Sequence, residues 1–230
     1  MKGNCNPSGR LSLNLAIGVS AALTIGLPLA GSRLAWLGYV FTPLTMVLIL
    51  GLAVTAPTSR PPRYRWGIVA GLGSSLAGDV LLMLPRDLFL AGLSSFLVAQ
   101  VCYVVAFTSD SRFAARPLPF LLLGGIGLAL MIVLWTGIPP ALRLPVLGYA
   151  GVLLVMAAQA ASRALDHKTL FASAAALGAV LFVVSDSLLA LNRFGHPIPA
   201  SRILVLAPYF AAQWLISISV LSPPSIRNRP

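Results

Sequence analysis

The chain has 230 residues, of which 58% are hydrophobic and only 9% are charged, whereas a typical soluble domain is about 45–50% apolar and about 25% charged. This composition excludes a water-soluble globule, and it also excludes a disordered tail. The two cysteines, Cys5 and Cys102, are too few for a disulfide scaffold. Because a transmembrane helix needs roughly 20 apolar residues, the length leaves room for about eight helices and short loops.

Eight apolar segments, bounded by clusters of Arg, Pro, Gly or Ser, predict eight membrane-spanning helices. In chain order they cover roughly residues 11–30, 34–54, 66–84, 88–107, 117–135, 145–161, 169–191 and 202–221. The first span follows Lys2 and Arg10 as a signal peptide would, but it is long enough to cross the membrane, so we expect it to be retained. The sixth span is short and could begin near Ala141. The prediction is an all-α, polytopic transmembrane helix bundle that forms one domain over residues 1–230.

The basic residues predict an orientation in the membrane. The net charge of +11 comes from sixteen Lys and Arg residues against five acids, and no basic stripe is interleaved with aromatic residues, so we predict no nucleic-acid partner. Eleven of the sixteen fall at the two termini or in the loops after spans 2, 4 and 6. The other five are Arg33, Arg86, Arg143, Arg193 and Arg202. The positive-inside rule therefore predicts cytoplasmic termini, in the inner membrane if the source is bacterial.

Two of the five acidic residues, all of which are Asp, lie inside apolar spans. Asp87, Asp110 and Asp166 fall at a span boundary or in loops, whereas Asp79 and Asp186 lie within the third and seventh spans. Each of these two is roughly five residues, or about 8 Å, from the end of its helix. Since an ionised carboxylate at that depth costs at least about 2–3 kcal/mol, both should face the bundle interior and find partners or a proton.

The sequences around these two Asp residues resemble each other. Each reads small-Asp-x-Leu-Leu-x-Leu, with an Arg seven residues after the Asp, namely Arg86 and Arg193. The offset is 107 residues (186 − 79), or four spans. This pattern predicts a weak internal duplication in which the third and seventh helices run parallel and hold both carboxyls at a similar depth. A cleft between helices 3, 4, 7 and 8 could hold the two carboxyls together.

Four pieces of the sequence, taken in order, resemble the YhhN-type lysoplasmalogenase family over roughly residues 41–219. They are residues 78–84 (GDVLLML), 89–96 (FLAGLSSF), 178–187 (GAVLFVVSDS) and 209–213 (YFAAQ), and Tyr149 with Met156 fits the sixth span of the family. The resemblance implies an eight-helix membrane hydrolase that cleaves the vinyl ether bond of lysoplasmalogens. The products would be a fatty aldehyde and a glycerophospho-alcohol, and the two motif aspartates of the family fall on Asp79 and Asp186.

Two positions depart from the pattern of this family. Thr42 stands where a lysine usually precedes Pro-Leu, and Gln100 stands where a histidine is common. The missing cation at position 42 bears on head-group binding and on the identity of the substrate, which could be a related ether lipid.

A pair of carboxyl groups suits this chemistry. Hydrolysis of a vinyl ether begins with a proton added to the outer alkene carbon, and water then captures the resulting oxocarbenium ion. The first step needs an acid that stays protonated near neutral pH, which burial favours, while a second carboxylate stabilises the cation and accepts a proton from water. We therefore predict that Asp79 and Asp186 are the catalytic pair, without assigning which one is the acid.

The predicted substrate-binding residues are polar groups near this pair. They are Arg86, Arg193, Tyr103, Tyr209, Gln213, Gln100, Asn192 and Ser185. The two arginines would hold a lysolipid phosphate, although ordinary interfacial arginines would look the same. The tyrosines and amides would orient water or a glycerol hydroxyl, or would only join helices. No His, Cys and Asp cluster has the spacing of metal ligands, so no metal or other cofactor is predicted.

Two other functions remain open at this stage. Paired Asp residues in parallel repeats would also serve a proton-coupled carrier of a small lipid or solute, although both lie near one surface and not at the midplane. A non-catalytic lipid-binding or scaffold protein is the third interpretation. The head group, the chain length and the oligomeric state do not follow from the sequence.

Overall fold

The structure, a computed structural model, describes residues 7–27 and 32–221, and this part of the chain contains eight α-helices and no strand. The helices are α1 (Pro7–Gly26), α2 (Gly38–Thr55), α3 (Pro62–Met83), α4 (Phe89–Phe107), α5 (Leu118–Leu134), α6 (Pro140–His167), α7 (Leu170–Phe194) and α8 (Ser201–Ile218). A short 3-10 helix, Ser32–Leu37, precedes α2. Outside the described residues lie Lys2, Cys5, Arg227, Arg229 and the end of the first predicted span, residues 28–30.

Seven of these helices are long and apolar enough to cross a membrane, and α5, with 17 residues, is the shorter exception. In lipid the backbone N–H and C=O groups find no water, so a chain of this composition satisfies them inside helices. The predicted all-α polytopic bundle is confirmed, and the chain is an integral membrane protein.

Local sequence signals set the ends of α3 and α7. Helix α3 ends at Met83 because Leu84 is extended, with φ −62° and ψ 144°, and Leu84 precedes Pro85. Helix α7 begins after Thr169, whose hydroxyl oxygen accepts a hydrogen bond from the Ala172 N–H at 3.3 Å.

Helix α6 is longer than the sequence predicted. It begins at Pro140, close to the early start considered near Ala141, and it continues to His167. The expectation that Asp166 lies in a loop was therefore wrong, and Arg163 and His167 also belong to this helix. The physical reason is that Asp110, in the loop between α4 and α5, accepts hydrogen bonds from Nε and Nη2 of Arg163 at 2.7 Å each. A fully buried arginine is tolerated in the helix because its charge is paired.

Asp110, just after the C-terminal end of α4, interacts with three basic side chains. Arg60 lies 3.3 Å from it, His167 bonds the backbone oxygen of Asp110 at 3.0 Å, and the Arg163 guanidinium lies 4.6 Å from the centroid of the Tyr64 ring. Burial raises the pKa of Asp110, but the hydrogen bond and charge of Arg163 and the charges of His167 and Arg60 outweigh it, so the pKa of Asp110 is lowered. These interactions hold the α4–α5 loop against α6.

The two most extensive helix pairs, α3 with α4 and α7 with α8, both depend on a glycine. A Cβ at Gly71 would lie 2.2 Å from the ring of Tyr103, and a Cβ at Gly178 would lie 2.8 Å from the backbone oxygen of Ala212. The two glycines are 107 residues apart (178 − 71), the same offset as the two intramembrane Asp residues. Equivalent close approaches in the two helix pairs agree with the predicted internal repeat.

Candidate active site

A cavity of about 260 Å³ lies between the C-terminal halves of α3 and α7. Its wall is mostly apolar and also includes residues of α2, α4, α5, α6 and α8. The polar and charged residues of this wall are Thr42, Asp79, Tyr149, Ser185, Asp186, Ser187, Arg193, Arg202 and Tyr209. Both predicted carboxyls therefore line one cavity, together with other residues from the C-terminal halves of α3 and α7.

Asp79 is buried at the inner surface of this cavity, with 8% of its surface exposed. Its Oδ2 accepts a hydrogen bond from the Tyr209 hydroxyl of α8 at 2.7 Å. The preceding residue, Gly78, lets α4 approach, because a Cβ there would lie 2.7 Å from the Phe96 ring. The ring of Phe96 consequently packs against α3 at this glycine, next in sequence to the residue that carries the carboxyl.

Asp186 has a similar arrangement on α7. Its Oδ2 accepts a hydrogen bond from the Tyr149 hydroxyl of α6, and the neighbouring Ser185 donates to the backbone oxygen of Val205 at 2.9 Å, which ties α7 to α8. Among the residues that the structure describes, Oδ1 of Asp79 and Oδ1 of Asp186 accept no hydrogen bond. Each carboxyl is thus oriented by one tyrosine from another helix and keeps an oxygen for a ligand.

Three aromatic rings pack edge to face under the carboxyls. The ring centroids of Phe96, Phe182 and Tyr209 lie 5.7–6.2 Å from one another. Phe96 and Tyr209 also line the cavity. The cavity wall is therefore aromatic on the side of α4 and α8.

Behind the cavity wall lies a fully buried polar cluster formed by Gln100, Tyr103 and Gln213. The Tyr103 hydroxyl donates to Oε1 of Gln213 at 2.7 Å. Within the described part of the chain, Nε2 of Gln213 and both polar atoms of Gln100 have no hydrogen-bonding partner. Gln100 lies next to the hydroxyl of Tyr149, which connects this cluster to Asp186.

The two predicted phosphate-binding arginines differ in position. Arg193 lines the cavity, but its Nη2 lies 3.2 Å from Asp87 and its guanidinium stacks 4.0 Å from the centroid of the Phe89 ring. Arg86 is exposed and is not part of the cavity wall. Its predicted place about two turns along the helix from Asp79 was wrong, because α3 ends at Met83.

Asn192 also lies outside the cavity wall, where its Oδ1 accepts a hydrogen bond from the Ile198 N–H at 2.9 Å and holds the loop between α7 and α8. Of the predicted site residues, five line the cavity. They are Asp79, Asp186, Arg193, Tyr209 and Ser185.

Sequence reasoning missed four polar residues of the cavity wall as members of the site. Tyr149 was noticed only as part of the family pattern and Thr42 only as a departure from it. Arg202 was noticed only as a boundary charge, and Ser187 only as a neighbour of Asp186 within the family motif. The apolar wall supplied by α5 carries no signal that separates it from a helix facing lipid. Within the described residues, no group of three or more His, Cys, Asp or Glu side chains could hold a metal ion.

These features define a helical integral membrane protein with two intramembrane carboxyls in one apolar cavity. The model of the YhhN family matches residues 37–220, and the chain belongs to this family. The resemblance seen in the sequence is therefore confirmed.

The relatives of the chain include proteins with a named activity. The uncharacterized membrane protein YhhN of Escherichia coli O6:H1 is 32% identical over 205 residues, which cover 88% of this chain and 95% of that protein. Lysoplasmalogenase TMEM86B of Sus scrofa is 31% identical over 199 residues, and the human protein of that name is 28% identical over 193 residues; each alignment covers 84% of this chain and 79% of the relative. The family thus includes membrane hydrolases. No solved structure matches the chain.

Proposed function

We propose that the protein is a membrane hydrolase that cleaves the vinyl ether bond of lysoplasmalogens to a fatty aldehyde and a glycerophospho-alcohol. The observation that carries the proposal is that Asp79 and Asp186, each bonded by a tyrosine, line a single apolar cavity. The relatives named lysoplasmalogenase support the same substrate class.

The first step is protonation of carbon. The alkenyl chain lies along the apolar wall, and the vinyl ether lies between the two carboxyls, one protonated and one ionised. The protonated carboxyl transfers its proton to the outer alkene carbon, whose π electrons form the new C–H bond, and positive charge develops on the ether oxygen and its adjacent carbon. The ionised carboxylate and the faces of Phe96 and Tyr209 stabilise this oxocarbenium ion.

The second step is the addition of water. Water attacks the carbon bonded to the ether oxygen and gives its proton to a carboxylate, which acts as a general base. The hemiacetal then collapses: its hydroxyl gives its proton to the ionised carboxylate as the C=O bond forms, the bond from carbon to the glycerol oxygen breaks, and that oxygen takes the proton of the protonated carboxyl. The pair ends with one proton, as it began.

Asparagine variants test the assignment. Asp79→Asn and Asp186→Asn keep the shape and an oxygen that accepts the tyrosine hydroxyl, so both proteins should fold. Each should lower the rate of aldehyde release from a vinyl ether lysophospholipid in detergent by about 100-fold or more, because a general acid or base contributes about 10²–10⁴-fold. The matched control is Asp166→Asn, the same substitution at an exposed position. If both variants retain most of the activity while the control is normal, the mechanism is wrong.

A proton-coupled carrier of a small lipid or solute is the second candidate, and the repeated placement of Asp79 and Asp186 on parallel helices favours it. The same assay separates the two functions when the protein is reconstituted in liposomes. Release of aldehyde indicates the hydrolase, whereas uptake of intact lipid without aldehyde indicates the carrier.

We also propose that both termini are cytoplasmic and that the cavity lies toward the outer leaflet, in the inner membrane if the source is bacterial. The excess of Lys and Arg at the opposite end supports this orientation. A fluorescent reporter that folds only in the cytoplasm, fused to the C-terminus, should be bright; a dark but fully expressed fusion contradicts the orientation.

A further inference from the structure

We propose that Arg202, at the start of α8, binds the phosphate of the lysophospholipid substrate. The inference rests on the proposed function for the identity of the lipid. It assigns the charged head group to a residue that the family pattern and the sequence spacing did not indicate.

The environment of Arg202 leaves it available for an anion. It lines the cavity together with both catalytic carboxyls, and among the described residues no Asp lies within ion-pair distance of it. Arg193, the other arginine of the wall, is already paired with Asp87. Phosphate bound at Arg202 therefore has no carboxylate of the protein to displace.

The guanidinium of Arg202 is held in one orientation. Its Nε and Nη2 donate to the backbone oxygen of Thr24, the C-terminal part of α1, at 3.2 and 3.1 Å. Gly38, at the start of α2, makes room for it, since a Cβ there would lie 2.4 Å from Nη2. With the Nε–Nη2 edge occupied by a carbonyl, the other edge, formed by Nη1 and the second hydrogen of Nη2, remains for bidentate binding. A fixed guanidinium edge of this kind matches two phosphate oxygens.

The separation between Arg202 and Asp79 suits the substrate. Tyr209, which bonds Asp79, lies seven residues after Arg202 on α8 (209 − 202), or about 10 Å along the helix axis. Seven bonds join the phosphorus of a lysoplasmalogen to its outer alkene carbon, and at about 1.2 Å of advance per bond they span about 8 Å. A phosphate at Arg202 thus brings the alkene to the carboxyls.

The test measures binding apart from catalysis. The two probes are a 1-O-alkyl lysophosphatidylcholine, whose saturated ether is not cleaved by alkene protonation, and the 1-O-alkylglycerol of the same chain length, which lacks the phosphate. The dissociation constants of both are measured for the purified protein in detergent. The wild-type protein should bind the phospholipid about tenfold or more tightly than the alkylglycerol, and Arg202→Gln should abolish this preference while still binding the alkylglycerol.

Two further variants keep the result interpretable. Arg143→Gln is the matched control, because Arg143 also donates to a backbone oxygen, that of Ile138, but lies outside the cavity wall. It should keep the phosphate preference. Gly38→Ala retains the charge but displaces the guanidinium, so it should weaken phospholipid binding selectively. If Arg202→Gln binds neither probe, the test depends on Gly38→Ala. A preference of Gly38→Ala for the phospholipid equal to that of the wild-type protein overturns the proposal.

The remaining outcomes also decide between explanations. A wild-type protein without phosphate preference, or equal losses in Arg202→Gln and Arg143→Gln, overturns the proposal. Saturating inorganic phosphate should compete for Arg202 and weaken phospholipid binding only to the level of the alkylglycerol, whose binding should not change. A loss of alkylglycerol binding as well would overturn the head-group role. If the wild-type protein releases no aldehyde from a vinyl ether lipid but shows the preference dependent on Arg202, the proposed hydrolase falls while the phosphate site stands.

Discussion

Replacing Asp110 by asparagine should destabilise the protein far more than an identical change at Asp166. The Asp110 carboxylate accepts two hydrogen bonds of 2.7 Å from Arg163, which is fully buried, and only 13% of the Asp110 side chain is exposed. The carboxylate of Asp166 lies 4.0 Å from Arg116, and these side chains are 45% and 57% exposed. Both substitutions raise the net charge by one, so they differ in the local pair and not in overall charge.

The expected sizes follow from burial. Removing one partner of a buried ion pair leaves an uncompensated charge and costs about 3–5 kcal/mol, whereas an exposed pair contributes about 0–1 kcal/mol. At about 2–4 °C per kcal/mol for a chain of this size, the Tm of Asp110→Asn should fall by about 6 °C or more. The assay is thermal unfolding of the purified proteins in one detergent, followed by tryptophan fluorescence.

The pH dependence of unfolding supplies the second part of this test. Because the pKa of Asp110 is lowered in the folded protein, its stabilising effect is complete above the ordinary value of 3.8 and is lost as the pH falls below it toward the folded-state pKa. The difference in Tm between the wild-type protein and Asp110→Asn should therefore be constant near neutral pH and shrink in acid. Equal effects of Asp110→Asn and Asp166→Asn, or a difference that grows in acid, would refute this reasoning.

Three further outcomes are expected. Tyr149→Phe and Tyr209→Phe should each lower kcat about tenfold or more, since hydrogen bonds to charged groups contribute about 1.5–3 kcal/mol; an unchanged kcat in both variants contradicts the role of these hydroxyls. Gly71→Ala should lower Tm because its Cβ would lie 2.2 Å from the buried ring of Tyr103. Gly73→Ala, with no atom within 4 Å of its Cβ, should leave Tm unchanged. Similar losses of Tm in both variants would show that the close approach of α4 at Gly71 is not responsible. Leu130→Trp should narrow the cavity at its apolar wall and raise KM for long alkenyl chains more than for short ones. An equal rise for both would show that the alkenyl chain binds elsewhere.

The sequence predicted the helices well because the membrane imposes one solution on a long apolar segment. Within the described residues, each of the eight predicted spans contains an α-helix, and the largest error, in α6, arose where long-range pairing overrode a local rule. Arg163 and Asp166 look like loop charges, and nothing near them in the sequence reveals that Asp110 makes the helix continue.

The candidate site was only partly predictable for a related reason. Rare acids in apolar sequence identify Asp79 and Asp186, but the partners of these residues depend on how the helices pack. Tyr149 comes from α6, and not from the position in α4 that the internal repeat would suggest. In the sequence Arg202 marks only the boundary of a span; the packing of the helices is what places it in the cavity wall and against Thr24 and Gly38.

The most direct measurement of the central chemistry is the fate of deuterium during hydrolysis. A vinyl ether lysophospholipid is cleaved by the purified protein in D2O, and the aldehyde is reduced at once to the alcohol for mass spectrometry and for NMR of a chiral ester. An acid positioned against one face of the alkene should place a single deuterium on the carbon next to the former aldehyde carbon, in one configuration. Aldehyde that carries no deuterium there, or equal amounts of both configurations, would contradict protonation by a carboxyl group held in the cavity.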